Sequence, residues 1–381
     1  MMLNPRQKDT LLYYKAALSV CIVTLLLVLY SDFAADSSIV VRKGMAQTAV
    51  AGPHRRFAGR QQQQLQQQQP CTVGTKYISS AFEQSWLDNV TSWQENFCEA
   101  VKAPQQQTWA KIWLDTIKEE AAGSKQVEYD PQVFSRFVTT ASCPGQPPQE
   151  VTTWIEPLAH GLRHPHALCD LGSDLMDRGY LLLENHEDIQ ALRTATYPVA
   201  SQACHNRTCQ AIYMDLGATR WEAAPTSVGQ GWFVRGYQAR GIDMDRLLLW
   251  EAAVLPPSAI FGELPKEMFH KYQYFNIPAI TDYNDASHPV RMLKAIAQPA
   301  DFVSFKLDID NHTAENAILK ALREDPAAAS LVDEFFLEYH VNFQPMKHAW
   351  GSTLDPSKTL ADAFQLFFEL RQQGWRAHSW V

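Results

Sequence analysis

Two aspartates one residue apart end an apolar stretch of the chain, FVSFKLDIDN at residues 302–311. An acid–x–acid pair of this kind can hold a divalent cation and, through it, the phosphates of a sugar nucleotide. The same residues can instead end a buried strand, where acids face a bound cofactor and its acceptor. Burying Asp308 at the end of an apolar strand is costly unless it has a partner or a purpose. The predicted strands and helices around Asp308 and Asp310 therefore determine which of these two interpretations is favoured.

Polar residues also end other apolar runs in the C-terminal half. Asp215 and Gly217 close AIYMDLGA, Glu251 closes RLLLWEA, and Glu338 and His340 lie two residues apart, and so on one face, in VDEFFLEYHV. In open parallel sheets, ligands bind beyond the carboxyl ends of the strands. A carboxylate after the second strand suits a ribose, and a glycine lets the backbone approach a ligand closely. The structural alternative is that polar residues stand at strand ends because water returns there.

The elements that position these residues follow an alternating pattern. Short apolar runs alternate with segments of helical spacing, which predicts a mostly parallel sheet covered by helices on both faces. The predicted fold of the C-terminal half is therefore a doubly wound, Rossmann-like α/β domain. Its predicted helices cover residues 231–241, 312–325 and 357–374.

Four blocks in register, IYMDLGA, RLLLWEA, VSFKLDIDNHTAENAIL and FFLEYHV, resemble the FkbM-type methyltransferase family. The resemblance covers about residues 205–381, and the closing ELRQQGWRAHSWV is similar to the family's final helix and strand. It departs from the family in two places. The family has a second glycine soon after Asp-x-Gly-Ala, whereas here either Gly229 and Gly231 take over its role after an insertion or the cofactor loop is altered or degenerate. In addition, Asp310-Asn311 stands where the family has Glu-Gly.

The resemblance implies an S-adenosylmethionine site in which the strand ends have separate roles. Asp215 and Gly217 would lie beside the methionine part of the cofactor, and Glu251 would bind its ribose. The positions implied on the cofactor or acceptor side are Lys306, Asp308, Asp310, Glu315, Glu338 and His340.

Methyl transfer from a sulfonium is an in-line displacement, so alignment and exclusion of water supply most of its acceleration. A hydroxyl acceptor also needs a base for its proton. Asp308 and His340 are the candidate catalytic residues, and His340 has the alternative of a structural histidine at a strand end.

The N-terminal residues predict entry into the secretory pathway. Residues 1–15 carry Arg6, Lys8 and Lys15 and form a predicted cytosolic tail, and the uncharged apolar run at 16–30 is a predicted signal-anchor transmembrane segment. A cleaved signal peptide, which would make the protein secreted, is the alternative. We expect a disordered Gln-rich stem at 31–70, a mainly helical lumenal cap at 71–200 and the methyltransferase-like domain at 201–381. The predicted protein is thus a type II membrane protein of the Golgi or endoplasmic reticulum.

Cysteines and sequons agree with a lumenal location. Of seven cysteines, six lie outside the apolar run, which favours disulfides over metal sites, and Cys204 and Cys209 are near enough in sequence to close a small loop. Sequons occur at Asn89, Asn206 and Asn311. A glycan on Asn311 would obstruct the predicted site, so this sequon is expected to be unoccupied.

Neither the histidines nor the overall charge indicates another class of site. In HGLRHPH, Pro165 breaks the helix and the second half of a metal site is missing, so this segment is interpreted as a surface turn that includes Arg163. The tryptophans at 86, 93, 109 and 113 have the helical spacing of core residues. The net charge of −8 gives no reason to expect a nucleic-acid partner.

The sequence thus favours an S-adenosylmethionine-dependent O-methyltransferase that acts on a glycan or another hydroxyl-bearing small molecule. This interpretation includes no metal site. Two alternatives remain open: a type II Golgi glycosyltransferase that uses Asp308-Ile-Asp310 as a metal and sugar-nucleotide clamp, or a non-catalytic α/β binding module.

Overall fold

The N-terminal part of the fold combines a small antiparallel sheet with helices. In the computed structural model its strands are β1 (Thr72–Ile78), β2 (Ser135–Ser142) and β3 (Gln149–Ile155), hydrogen-bonded in the order β1-β2-β3. Its helices are α1 (Ala81–Trp93), α2 (Phe97–Lys102) and α3 (Pro104–Ala121). A disulfide joins Cys98 in α2 to Cys169, with Cα atoms 5.4 Å apart.

A six-stranded parallel sheet forms the rest of the fold. Its strands are β4 (Ala211–Leu216), β5 (Arg246–Trp250), β6 (Tyr272–Phe275), β7 (Phe302–Leu307), β8 (Glu334–Leu337) and β9 (Arg376–Ser379). They are ordered β6-β5-β4-β7-β8-β9, and each neighbouring pair is parallel. The chain therefore starts at the centre, builds outwards to one edge through β6, and returns to the centre at β7. The switch point between β4 and β7 is where open α/β sheets bind their ligands.

Helices cover both faces of this sheet. Those after β4 are α4 (Gln230–Ala239), α5 (Pro257–Phe261), α6 (Pro289–Ile296), α7 (His312–Glu324), α8 (Pro326–Ala329), α9 (Lys347–Trp350) and α10 (Leu360–Gln372). Phe233 and Tyr237 of α4 pack on one face, whereas Ile318 of α7 and Phe367 of α10 belong to the core on the other face. Because both faces are covered, every residue of β4 and of β7 is buried, which explains their continuous apolar sequences.

The predicted doubly wound sheet is confirmed, but several elements differ from the sequence expectation. The predicted strand over 332–341 ends at Leu337, so Glu338 and His340 follow it, while Asp215 lies inside β4 rather than after it. The edge strand β6 was not predicted. Helices α1, α2 and α3 lie in the region predicted to be a mainly helical cap, whereas the sheet β1-β2-β3 was not expected there.

The structure describes residues 72–121, 127–142, 147–160, 162, 169, 209–222 and 228–380. None of the helices within these ranges has both the length and the apolar character needed to cross a bilayer. The anchor and stem predicted for residues 16–70 lie outside the described residues, as do Cys204, Asn206, Arg163, His164 and His166.

The predicted core role of the cap tryptophans agrees with the structure. Trp86 and Trp113 are buried, and Trp93 and Trp109 pack against the same core. His160, the described histidine of HGLRHPH, is also fully buried and lies edge-on to Trp86, with ring centroids 5.3 Å apart. At this residue the expectation of a surface turn is wrong.

Candidate functional site

Eight of the nine predicted site residues, including Gly217 directly after β4, converge at the carboxyl edge of β4, β7 and β8. The parallel order of these strands brings their ends together although they are far apart in sequence. Asp215 lies in β4, Lys306 in β7, Asp308 and Asp310 directly after β7, Glu315 in the first turn of α7, and Glu338 and His340 directly after β8.

A buried charge cluster joins β4 to β7. The Lys306 ammonium lies 3.2 Å from Asp215 Oδ1 and 2.7 Å from Asp308 Oδ2. Tyr213 OH donates to the second oxygen of Asp215, and Trp380 Nε1 donates to Asp308 Oδ2 at 3.1 Å. Both oxygens of Asp215 are thus engaged within the protein, and its residue is 3 % exposed. This cluster fixes the end of β7 against β4.

The charges of this cluster stabilise one another. Burial lowers the pKa of Lys306, but the two neighbouring carboxylates more than compensate and the pKa is raised overall. Burial likewise opposes ionisation of Asp308, yet the Lys306 charge lowers its pKa to about 2. Burial raises the pKa of Asp215 despite the Lys306 charge. Asp308 is therefore a carboxylate at neutral pH, and Lys306 is an ammonium.

Gly217 is required by the chain itself. It has a φ of 103°, and a Cβ at this position would lie 1.5 Å from the backbone oxygen of Asp308. Its amide donates to the carbonyl of Trp250, while the amide of Asp308 donates to the carbonyl of Leu216. The close approach that the sequence assigned to a ligand is thus made here by the backbone after β7.

Asp310, Glu338 and His340 form a second group, which we call the acid–histidine cluster. His340 Nε2 lies 3.0 Å from Glu338 Oε2 and 3.8 Å from Asp310 Oδ1. On the other side of the ring, Nδ1 lies 3.9 Å from Glu315 Oε2. Trp350 packs edge-on against the imidazole and donates its Nε1 hydrogen to Glu338 Oε1 at 2.8 Å. The ring is thereby oriented with one nitrogen towards each side.

The acid–histidine cluster has shifted titration behaviour. Burial raises the pKa of Glu338 to about 7, helped by the charge of Asp308, and burial also raises the pKa of Glu315 to about 7. Burial lowers the pKa of His340, but Glu338, Glu315 and Asp310 reverse this effect and raise it. Groups with perturbed pKa values that gather at a sheet switch point are typical of functional sites.

The two aspartates of the LDID motif point to different partners. Asp308 belongs to the buried charge cluster, whereas Asp310 has a φ of 55° and a side chain that is 76 % exposed, beside His340. Asn311 then caps α7, since its side chain accepts a hydrogen bond from the Ala314 amide. The residues whose ligand atoms lie close enough together to share a metal ion are therefore Asp310, Glu338 and His340. Asp308 is not one of them.

Glu251 lies on the other side of the switch point, directly after β5. One oxygen of its carboxylate accepts from the Ala253 amide, and Asn276 ties its backbone carbonyl to the end of β6. Two apolar side chains in the segments that follow β5 and β6 are exposed: Val254 at 91 % and Ile277 at 47 %.

Three aromatic residues of this site were not predicted from sequence. Tyr213 bonds Asp215, Trp380 bonds Asp308, and Trp350 bonds Glu338. Tyr213 stands two positions before Asp215 on the same strand, so the side-chain period of a strand already places both on one face. Trp350 and Trp380 carry no such local signal, because their contacts depend on the tertiary fold.

Two surface concavities lie away from this edge. One of about 600 Å³ is lined by strands of the antiparallel sheet, including Lys76 and Arg136, and one of about 500 Å³ lies beside α7 and α8, around Tyr283 and Lys320. Neither is lined by a predicted site residue. The carboxyl edge is the candidate site because of the charged and titratable side chains that meet there.

No protein-family model, curated protein or solved structure matches this chain. Its function therefore has to be inferred from the residues and geometry of the site.

Proposed function

We propose that this chain is an S-adenosylmethionine-dependent O-methyltransferase of the secretory pathway, acting on a hydroxyl of a glycan or of another small molecule. One observation carries the proposal: a carboxylate, Glu251, follows β5 and an acid–histidine cluster follows β8, on opposite sides of the switch point of one parallel sheet. The order of these features along the chain is also that of the FkbM-type family, which the sequence resembles.

Glu251, directly after β5, is the residue proposed to bind the nucleoside part of the cofactor. One oxygen of Glu251 accepts from Ala253, so the other would bind the ribose hydroxyls, and the exposed Val254 and Ile277 would contact the adenine. Asp215 fits less directly, because Lys306 and Tyr213 hold its carboxylate. We therefore assign Asp215 to positioning Lys306, and Gly217 to positioning the end of β7.

The acceptor side supplies negative charge next to the expected sulfonium. When bound, the cofactor provides an electrophilic methyl group on a positively charged sulfur. In the transfer, the acceptor oxygen bonds to the methyl carbon, the electron pair of the carbon–sulfur bond stays on sulfur, and the hydroxyl proton is released. The negative charge of Asp308 and Asp310 would favour binding of the cation before transfer and leave the neutral thioether free to dissociate.

Removal of the hydroxyl proton falls to the acid–histidine cluster rather than to Asp308. Oδ2 of Asp308 already has Lys306 Nζ at 2.7 Å and Trp380 Nε1 at 3.1 Å, and the Lys306 charge lowers the pKa of Asp308 to about 2, so this carboxylate is a weak base. The cluster, by contrast, opens to solvent at Asp310. Of the two predicted catalytic residues, His340 is thus the one placed to act on an acceptor.

The test is a calorimetric titration of the full-length protein with S-adenosylmethionine and, separately, with sugar nucleotides plus Mn²⁺. Glu251→Ala is expected to weaken S-adenosylmethionine binding at least about tenfold, because a hydrogen bond to a charged group contributes about 1.5–3 kcal/mol. Glu267→Ala is the matched control, because Glu267 is exposed and precedes β6, at the amino-terminal ends of the strands.

Saturable S-adenosylmethionine binding that is lost in Glu251→Ala and kept in Glu267→Ala would support the proposal. Binding of a sugar nucleotide instead would replace it with the glycosyltransferase interpretation. Absence of binding to either class of ligand would leave a non-catalytic module and overturn the proposed function.

A further inference from the structure

We propose that the acid–histidine cluster is a binding site for one divalent transition-metal ion, with ligands from His340 Nε2, the Glu338 carboxylate and the Asp310 carboxylate. One ligand atom from each residue lies within 4.8 Å of the others. Metal–ligand distances of about 2.0–2.2 Å put neighbouring ligand atoms about 3–3.5 Å apart. The observed separations of 3.0 Å and 3.8 Å from Nε2 bracket that range.

Unmet polar atoms point to an ion at this position. His340 is 1 % exposed, and among the described residues neither of its ring nitrogens has a hydrogen-bond partner. Glu338 Oε2 lies 3.0 Å from Nε2 and pairs with it only while the ring is protonated, so a neutral ring leaves the Nε2 lone pair facing two carboxylates. Buried imidazole nitrogens without partners are costly. An ion on Nε2 would remove this cost for the nitrogen that faces both carboxylates.

Glu315 is a second buried polar group, and it faces the other ring nitrogen of His340. It is 2 % exposed, and its Oε2, which lies 3.9 Å from His340 Nδ1, has no hydrogen-bond partner in the described part of the chain. When Nε2 of a histidine binds a metal, Nδ1 carries the hydrogen and typically faces a carboxylate. The ring already has this orientation, with two ligand carboxylates on one side and Glu315 on the other.

The ligand set indicates the class of ion. One imidazole with two carboxylates suits Mn²⁺, Fe²⁺ or Zn²⁺ better than Ca²⁺ or Mg²⁺, which prefer oxygen ligands alone. The Asp310 side chain is 76 % exposed, so the ion has a path from solvent and keeps positions open for water or a substrate oxygen.

An ion here would change how the proposed reaction is assisted. A hydroxyl bound to a divalent cation releases its proton at a lower pH than a free hydroxyl does. The metal would then activate the acceptor, and His340 would be a ligand rather than a base. This role rests on the proposed function, whereas the binding of the ion itself does not.

The test measures ion binding without any reaction. Chelator-treated full-length protein is titrated with Mn²⁺, and the electron paramagnetic resonance signal of free Mn²⁺ is recorded, with Zn²⁺ as competitor. We expect one site per chain, at least about tenfold weaker binding in His340→Gln, and about 10- to 100-fold weaker binding in Glu315→Gln. His270→Gln is the matched control, because His270 is exposed and precedes β6.

Asp310→Asn is a second variant that tests the metal site without disturbing a buried residue. Asp310 is exposed, and asparagine accepts its left-handed backbone conformation, so this variant should fold normally and still lose Mn²⁺. Binding that is equal in wild type, Asp310→Asn and His340→Gln, or no stoichiometric binding at all, would overturn the inference and leave a buried ion pair only. Mn²⁺ binding without S-adenosylmethionine binding would refute the proposed function alone, and the reverse result would refute the metal site alone.

Discussion

Replacing Gly217 with alanine tests the most constrained contact of the candidate site. The change has two costs. The first is the left-handed backbone, since a φ of 103° disfavours any residue with a Cβ by about 1–2 kcal/mol. The second is steric: the added Cβ would lie 1.5 Å from the oxygen and 2.5 Å from the carbon of the Asp308 carbonyl. Because these atoms are backbone, β4 and β7 must separate at their ends, and overpacking of this kind costs about 1–3 kcal/mol.

We therefore expect Gly217→Ala to lower the free energy of unfolding by about 2–5 kcal/mol. Gly374→Ala is the matched control, since Gly374 has a φ of 93° but a Cβ added there would meet no other atom within 4 Å. That control should lose only the backbone contribution of about 1–2 kcal/mol. The assay is urea-induced unfolding of the full-length variants, followed by tryptophan fluorescence.

The difference between the two variants isolates the steric contribution at the strand ends. A loss of stability in Gly217→Ala no larger than in Gly374→Ala would show that the ends of β4 and β7 do not touch as described. The assignment of Gly217 to positioning Asp308 would then be wrong, and a ligand contact would again be the best account of this glycine.

Two further predictions concern the buried ions between the N-terminal elements and α10. Arg371→Met should lower the free energy of unfolding by about 3–5 kcal/mol in urea unfolding, because it removes the buried guanidinium that pairs with both Glu83 and Glu156. Arg323→Met, in a half-exposed pair, should cost about 0–1 kcal/mol, and equal losses in the two variants would contradict this. Burial lowers the pKa of His378, but Glu156 more than compensates and raises it above 6.5. The protonated ring therefore stabilises the fold fully below pH 6.5, and this stability is lost as the pH rises through the folded-state pKa. Glu315, Glu338 and His340 also have raised pKa values, so unfolding measured against pH should show a smaller decline in His378→Gln than in wild type, and identical profiles would refute the pairing.

Much of the fold follows from the sequence because its central strands are buried on both faces. AIYMDL and FVSFKL are nearly continuous apolar runs, and this pattern predicts β4 and β7. The edge strand β6, YQYF, is short and half-exposed after its first residue, so it lacks that signal. In β2, burial alternates along SRFVTTAS, and this period of two was available in the sequence but is obscured by the turn-rich residues that follow.

The candidate site could be predicted only to the level of strand ends. A parallel sheet brings the ends of β4, β7 and β8 together, so the convergence of Asp215, Asp308 and Glu338 follows from topology. Which charges pair with which does not follow. The assignment of Lys306 to two aspartates, and of Trp380 to Asp308, depends on side-chain directions and on a contact between residues 72 positions apart in sequence.

The contrast between two buried polar groups separates structural from functional chemistry in this molecule. Every nitrogen of the Arg371 guanidinium donates a hydrogen bond within the fold, so this group needs nothing from outside. His340 and one oxygen of Glu315 are equally buried, yet they lack hydrogen-bond partners among the described residues. Leaving such an atom unsatisfied costs about 1–3 kcal/mol. The fold satisfies Arg371 completely but leaves these atoms open beside an exposed carboxylate at the sheet switch point, and this contrast is the reason for proposing an ion there.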